Sequence, residues 1–143
     1  MKIALAGDHG GFTLKGQVQE YLLNKGYEVL DLGCNSEESV DYPNYGKACG
    51  EAVVKGEADK GIVICGTGIG ISIAANKVKG VRCALCTSTF MAEMSRKHND
   101  ANVLSLGGRI LDQDTAFAIV DTWLETEFEG GRHQRRVDLL NNM

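Results

Sequence analysis

Apolar and polar positions divide the chain into five short apolar runs, separated by longer segments in which apolar residues recur with helical spacing. The runs are rich in β-branched residues, which is typical of strands buried on both faces of a parallel sheet. We predict these strands at Lys2–Ala6, Glu28–Leu32, Gly61–Cys65, Val81–Cys86 and Asn102–Leu106. The intervening segments predict helices at Thr13–Asn24, Asp41–Lys55, Ile71–Lys79, Thr87–Lys97 and Asp112–Glu125, with a helical tail after Gly131.

Strict alternation of strands and helices predicts a single α/β domain over residues 1–143. The expected architecture is doubly wound and Rossmann-like, with a five-stranded parallel sheet and right-handed crossovers. We expect the strand order 2-1-3-4-5. Ligands bind such sheets beyond the carboxyl ends of the strands, where the direction of winding reverses. That point lies between strands one and three, and a polar glycine-rich loop follows each of them, at Gly7–Gly11 and Gly66–Gly70.

The second of these loops follows a cysteine, Cys65, at the end of the third strand. Its glycines let a ligand approach the backbone, and its N–H groups with the next helix terminus suit a phosphate or an oxyanion. A thiol at that position can act as a base or a nucleophile. The alternative is a tight turn beside a buried structural thiol.

Other polar residues are expected at the same sheet edge as Cys65. Asp8 and His9 follow the first strand, His98 follows the fourth helix, and Arg109 follows the fifth strand. Each also has an ordinary interpretation, because Asp8 can cap a helix and both histidines can be surface loop residues. Their convergence on one edge favours a functional site.

Composition narrows the function classes. The chain has 43% hydrophobic residues and a net charge of −4, which argues against general nucleic-acid binding. No apolar run approaches the roughly 20 residues of a membrane span, and none resembles a signal peptide. Cys83 and Cys86 form a CxxC string inside an apolar run, without the partners of a zinc site. We therefore expect a cytoplasmic protein with reduced cysteines.

Three familiar phosphate-binding loops do not fit the sequence after Cys65. It lacks the GK[ST] ending of a P-loop, and GTGIG is not the GxGxxG of a dinucleotide site. A cysteine phosphatase needs an arginine where Ile71 stands. Phosphate would have to be bound by other cations, such as Arg109 or the tail arginines at 132, 135 and 136, unless those are only solvated.

Five segments carry a resemblance to a known family. They are DHGG at 8–11, SVDYP at 39–43, CGTGIGISIAANK at 65–77, HNDAN at 98–102 and GGRHQRR at 130–136. In this order they span nearly the whole chain. The chain resembles the type B ribose-5-phosphate isomerases of the ribose/galactose isomerase family.

The resemblance implies an aldose–ketose isomerase that interconverts ribose 5-phosphate and ribulose 5-phosphate through a cis-enediolate, without metal or cofactor. This reaction belongs to the non-oxidative branch of the pentose phosphate pathway. Cys65 would be the base, since the glutamate used by another branch of the family would fall at Ile71. Asp8 would move protons between sugar oxygens, and His98 with Thr67 would open the sugar ring.

The remaining implied roles concern substrate binding and assembly. The implied binding residues are His9, Tyr42, Gly66, Gly68, Ile69, Gly70, Asn99, Arg109, Arg132 and Arg136. The resemblance also implies a homodimer or tetramer in which two subunits share each site, so that the basic tail reaches a neighbour. Allose 6-phosphate or galactose 6-phosphate isomerisation stays open as an alternative, as does a non-catalytic sugar-phosphate sensor.

Overall fold

A computed structural model, which describes residues 1–143, contains one sheet of five parallel strands. The strands are β1 (Lys2–Gly7), β2 (Glu28–Asp31), β3 (Lys60–Cys65), β4 (Cys83–Leu85) and β5 (Val103–Gly107). Their order is β2-β1-β3-β5-β4. The doubly wound α/β architecture is therefore confirmed, whereas the predicted order 2-1-3-4-5 is wrong in its last two positions.

The structure has six α-helices, of which five cover the two faces of this sheet and the last packs against the fourth. They are α1 (Phe12–Asn24), α2 (Tyr42–Val54), α3 (Ile69–Asn76), α4 (Thr89–Asn99), α5 (Gln113–Glu125) and α6 (Arg132–Asn141). Alternate strand residues point to opposite faces, so Ile3 and Leu5 pack under α1, α4 and α5, while Ala4 and Ala6 pack under α2 and α3. None of the helices combines the length and apolar character required to cross a bilayer.

The exchange of β4 and β5 follows from which face each helix covers. Right-handed crossovers on one face of a parallel sheet all move the chain in the same direction. α1 carries the chain outward from β1 to β2, and α4 lies on the same face. α4 must therefore carry the chain in that same direction, which from β4 leads back towards the sheet centre. Hence β5 lies between β3 and β4.

β4 is a short, half-buried edge strand. The side chain of Asn76, at the end of α3, pairs with the outward backbone groups of Cys83. Its Nδ2 donates to the Cys83 carbonyl at 3.0 Å, and its Oδ1 accepts from the Cys83 N–H at 2.8 Å. The strand predicted at Val81–Cys86 is therefore shorter at both ends than expected, as suits an edge strand with one strand neighbour. Its neighbour β5, in contrast, is buried along its whole length.

Two helix boundaries differ from the sequence prediction in ways that concern the site. α3 begins at Ile69 rather than Ile71, because Gly68 at φ +80° turns the chain directly into the helix. α4 continues through His98 and Asn99 and ends at Asp100, which adopts a left-handed conformation with φ +46°. Thus His98 lies on the last turn of a helix rather than in the loop that breaks it.

Candidate functional site

The loops that follow β1, β3 and β5 are packed backbone against backbone. A Cβ added to Gly10 would lie 2.9 Å from the Gly66 nitrogen, and one added to Gly108 would lie 2.8 Å from the Gly10 carbonyl oxygen. Only glycine permits such close approach of two main chains. The two glycine-rich loops predicted to meet at the winding reversal do meet, since β1 and β3 are hydrogen-bonded neighbours.

Cys65 is the last residue of β3 and is 5% exposed. The N–H of Gly68 donates to its sulfur at 3.1 Å. This N–H also belongs to the cap of α3, so the positive end of the helix dipole faces the thiol. Such a donor stabilises negative charge on sulfur, which is what a catalytic thiolate requires.

Gly68 is fixed by a residue that sequence reasoning did not single out. The hydroxyl of Ser105, in the middle of β5, donates to the Gly68 carbonyl at 2.6 Å, and Ser105 is completely buried. A Cβ on Gly68 would lie 2.9 Å from the Leu106 carbonyl carbon. The sequence does contain a signal for this role, because Ser105 is the only hydroxyl residue in an otherwise apolar strand. A buried hydroxyl needs a hydrogen-bond partner, so such a residue is expected to hold a neighbouring segment in place.

Asp8 and His9 occupy the loop after β1, across from Cys65. Asp8 is 6% exposed, and its Oδ1 accepts the Gly11 N–H at 3.1 Å. The capping role that the sequence allowed is therefore present, although it engages only one carboxylate oxygen. His9 Nδ1 accepts the Val40 N–H at 3.1 Å. A nitrogen that accepts cannot carry the ring proton, so neutral His9 has an N–H at Nε2, ready to donate to a ligand.

Three further predicted residues surround the loop after Cys65. The Tyr42 ring packs on Gly70, where an added Cβ would lie 2.6 Å from Tyr42 Cε1. The Arg109 guanidinium lies over Gly66, and its Nη1 would be 3.1 Å from a Cβ added to that glycine. The backbone N–H of Arg109 donates to the Gly66 carbonyl. Thr67 is exposed, and its hydroxyl accepts the Ile69 N–H at 3.2 Å. A thiol, a carboxylate and two cation-capable groups thus share one edge.

His98 and Asn99 lie at the opposite edge of the sheet. Arg82 immediately precedes β4, and its Nε donates to the Asn99 carbonyl at 3.1 Å, which places the end of α4 at the amino end of the strands. A helix between two parallel strands returns the chain to that edge. The expectation that His98 shares the edge of Cys65 is therefore wrong within one chain.

The start of α6 joins His98 at this amino edge. The His98 and His133 rings stack with centroids 4.3 Å apart, and Glu129 Oε1 lies 3.7 Å from His98 Nε2 and 3.6 Å from His133 Nε2. Desolvation by burial lowers the pKa of His133. Arg132 and Arg136 are exposed and lie one turn apart on α6, so they share a face of that helix.

A cavity of about 450 Å³ also lies at the amino edge. Arg82, Asn99 and Leu140 contribute to its lining, whereas Cys65 does not. Each chain thus carries two separate groups of predicted site residues. The carboxyl-edge group is Asp8, His9, Tyr42, Cys65, the 66–70 loop and Arg109; the amino-edge group is His98, Asn99, Arg132 and Arg136.

Comparison with known proteins shows the family to which this chain belongs. A profile of the Ribose/Galactose Isomerase family matches residues 3–140. The chain belongs to the ribose/galactose isomerase family. Ribose-5-phosphate isomerase B of Escherichia coli is 50% identical over 139 residues, which cover 97% of this chain and 93% of that protein. The expectation of an isomerase of this family is confirmed.

Solved structures of family members have the same fold. Ribose-5-phosphate isomerase B of Clostridium thermocellum is 57% identical with a TM-score of 0.98, covering 99% of this chain and 96% of that one. The Mycoplasma genitalium protein, in a structure with bound ribulose-5-phosphate, is 45% identical with a TM-score of 0.94, covering 99% of this chain and 94% of that one. The two-edge arrangement is thus set within a fold that this family shares.

Proposed function

We propose that this family member interconverts ribose 5-phosphate and ribulose 5-phosphate, with Cys65 as the base. The observation that carries the proposal is the Cys65 sulfur, which accepts the Gly68 N–H inside a glycine-rich loop that leads into the N-terminus of α3. The similarity to the Mycoplasma genitalium protein with bound ribulose-5-phosphate supports the substrate. Membership of the non-oxidative pentose phosphate branch and a cytoplasmic location follow as further parts of this proposal.

The reaction transfers one proton from carbon to carbon. The Cys65 thiolate removes the proton from C2 of the open-chain aldose, and the electron pair of that C–H bond forms the enediolate double bond. Backbone N–H groups of the 66–70 loop stabilise the enediolate oxygen, and one such donor typically contributes about 3 kcal/mol. The Cys65 thiol then returns the proton to C1, which regenerates the thiolate and yields the ketose.

Asp8 and the phosphate-binding residues complete the carboxyl-edge part of the mechanism. The free oxygen of Asp8 moves a proton from the C2 hydroxyl to the C1 oxygen, which keeps both oxygens correctly protonated in each half of the reaction. His9 donates from Nε2 to the substrate phosphate, and Arg109 contributes its guanidinium. Tyr42 holds a sugar hydroxyl at the rim, and Thr67 assists the opening of the sugar ring.

We further propose that a second copy of the chain supplies His98, Asn99, Arg132 and Arg136 to each site. His98 protonates the ring oxygen of the furanose, the bond from C1 to that oxygen breaks, and the anomeric hydroxyl releases its proton to solvent through the exposed Thr67 hydroxyl. His9 of the same chain is assigned to the phosphate, so the histidine for this step comes from the second chain. Large apolar side chains around the carboxyl edge support an interface there. They are Ile69, Ile73, Phe90, Met91 and Ile110, between 42% and 69% exposed. A two-fold axis would make two complete sites in a dimer.

Isomerisation of ribose 5-phosphate by the purified protein, in the presence of a chelator, tests the proposed activity. Ketose formation is followed in parallel with allose 6-phosphate as substrate. Preferential conversion of the pentose is the expected result. Conversion of the hexose alone would retain the mechanism and change the substrate, whereas binding of both without conversion would identify a sugar-phosphate sensor.

Mixing two inactive variants tests the shared site. Cys65→Ala and His98→Asn are unfolded together in equal amounts and refolded. Random pairing gives one intact site in each mixed dimer, so about a quarter of wild-type activity should return if each site uses both chains. If each site used one chain only, no activity would return.

A further inference from the structure

We infer that His98, Glu129 and His133 form a binding site for a zinc-class divalent ion. The three side chains each offer one donor atom, and these atoms lie within 4.8 Å of one another. They come from the last turn of α4, from the loop after α5 and from α6. None of the roles proposed for the reaction uses Glu129 or His133, so their convergence on His98 is not accounted for by catalysis.

The donor set and its spacing suit zinc. Two imidazoles and one carboxylate are common zinc ligands, and they leave a fourth position for water. Bond lengths of 2.0–2.1 Å in a tetrahedral site put neighbouring donors about 3.3 Å apart. The Glu129 oxygen is 3.7 Å from one histidine nitrogen and 3.6 Å from the other, so each of these two pairs must close by only a few tenths of an ångström. The two histidine nitrogens lie within 4.8 Å of each other and close further when one ring turns.

The backbone holds the cluster together before any ion binds. The Glu129 N–H donates to the Lys97 carbonyl at 3.2 Å, which joins the loop to the turn of α4 that carries His98. The His133 N–H donates to the Gly130 carbonyl at 3.1 Å. The two imidazoles stack at an angle of 14°, so one ring must turn for both nitrogens to point at one ion. His98 can turn, because its side chain is 42% exposed, whereas that of His133 is 11% exposed.

The charges around the cluster favour a cation only through Glu129. Arg132 and Arg136 oppose it, and the nearby Lys97 is paired with Glu93 at 3.0 Å. Replacement of the Glu129 carboxylate by an amide should therefore weaken metal binding strongly. The consequence for activity rests on the proposed function: an ion that takes the His98 nitrogen prevents that nitrogen from opening the sugar ring.

Zinc titration of the Cys65→Ala protein, by calorimetry, tests the site without interference from the active-site thiol. We expect one ion per chain, and an affinity lower on the order of tenfold or more when Glu129→Gln is added, since even second-shell partners of a metal are worth that much. Glu127→Gln, on the same exposed segment, is the matched control and should bind as the parent does. Failure of Cys65→Ala to bind zinc, or equal binding after Glu129→Gln, would overturn the site.

Inhibition of the protein with intact Cys65 gives a second measurement. Zinc should slow conversion of ribose 5-phosphate, a chelator should reverse this, and the Glu129→Gln protein should need about tenfold more zinc for the same fractional inhibition. The two proposals can fail separately. If zinc binding depends on Glu129 but the protein does not isomerise ribose 5-phosphate, the metal site is supported and the proposed function is refuted.

Cobalt, used as a visible probe of Cys65→Ala, should give tetrahedral absorption that His133→Gln abolishes.

Discussion

The two edges of the sheet hold their functional groups by different means. At the carboxyl edge, glycine backbones interlock and main-chain N–H groups position Cys65, Asp8 and His9. At the amino edge, side chains stack and pair on the surface, as His98 does with His133. The first arrangement is complete within one chain. The second presents exposed side chains beside which the same chain has no substrate-binding loop. This is the arrangement expected of residues that complete a site on another chain.

The largest effect should come from removing the thiol at the carboxyl edge. Cys65→Ala should lower kcat by about a thousandfold or more, since the C2 proton then has no base. Binding of ribose 5-phosphate, measured by calorimetry, should change little. Cys83→Ala, at the start of the edge strand, is the matched control and should retain turnover. Near-normal turnover of Cys65→Ala would remove the base from the mechanism.

A smaller effect, confined to one step, is expected from the amino edge. Ribulose 5-phosphate cannot close a furanose ring, because the hydroxyl required is phosphorylated. His98→Asn should therefore lower kcat/KM on the order of a hundredfold in both directions, whose ratio the equilibrium constant fixes, while leaving the proton abstraction itself intact. Exchange of the C1 hydrogen of ribulose 5-phosphate with deuterated water needs no ring, so NMR should show that it falls much less. Equal losses of turnover and of this exchange would assign His98 to binding or to the isomerisation step.

The interlocked glycines provide a test of the carboxyl edge that leaves every reacting group in place. Gly10→Ala puts a methyl group 2.9 Å from the Gly66 nitrogen, so the loops must separate and kcat should fall roughly ten- to fiftyfold. Gly16→Ala is the matched control in α1, where an added Cβ meets nothing within 4 Å. It should raise the free energy of unfolding by about 0.5–1 kcal/mol in urea titrations, with unchanged turnover. Equal activity of the two variants would show that the close approach is dispensable.

The smallest effect distinguishes individual arginines of α6. Arg136→Met should raise KM for ribose 5-phosphate about tenfold with a smaller change in kcat, because it removes a charge-assisted hydrogen bond to phosphate. Arg135→Met has the same charge change at the adjacent exposed position, about 100° around the helix. Its KM should stay near that of the unsubstituted protein. A shift of equal size in both variants would indicate general electrostatic attraction instead of a phosphate contact.

Sequence reasoning was most successful where the determinants are local. The spacing of Gly66, Gly68 and Gly70 after a β-branched run predicts the loop at Cys65, and the paired glycine loops predict the meeting of β1 and β3. Strand order was not predicted correctly, because it depends on which face each helix covers. The position of His98 was also predicted wrongly. α4 runs from the carboxyl edge to the amino edge of the sheet, so a residue at its end lies at the amino edge.

The Asn76 side chain closes one of the two edges of the sheet to a further strand. An open edge strand invites further strands, and repeated addition leads to aggregates without a fixed size. Here one amide occupies both the N–H and the carbonyl of Cys83 that an incoming strand would need. Sheet growth is therefore blocked at β4 from within the chain, so any contact that another protein makes at this end of the sheet must use helix and loop surfaces.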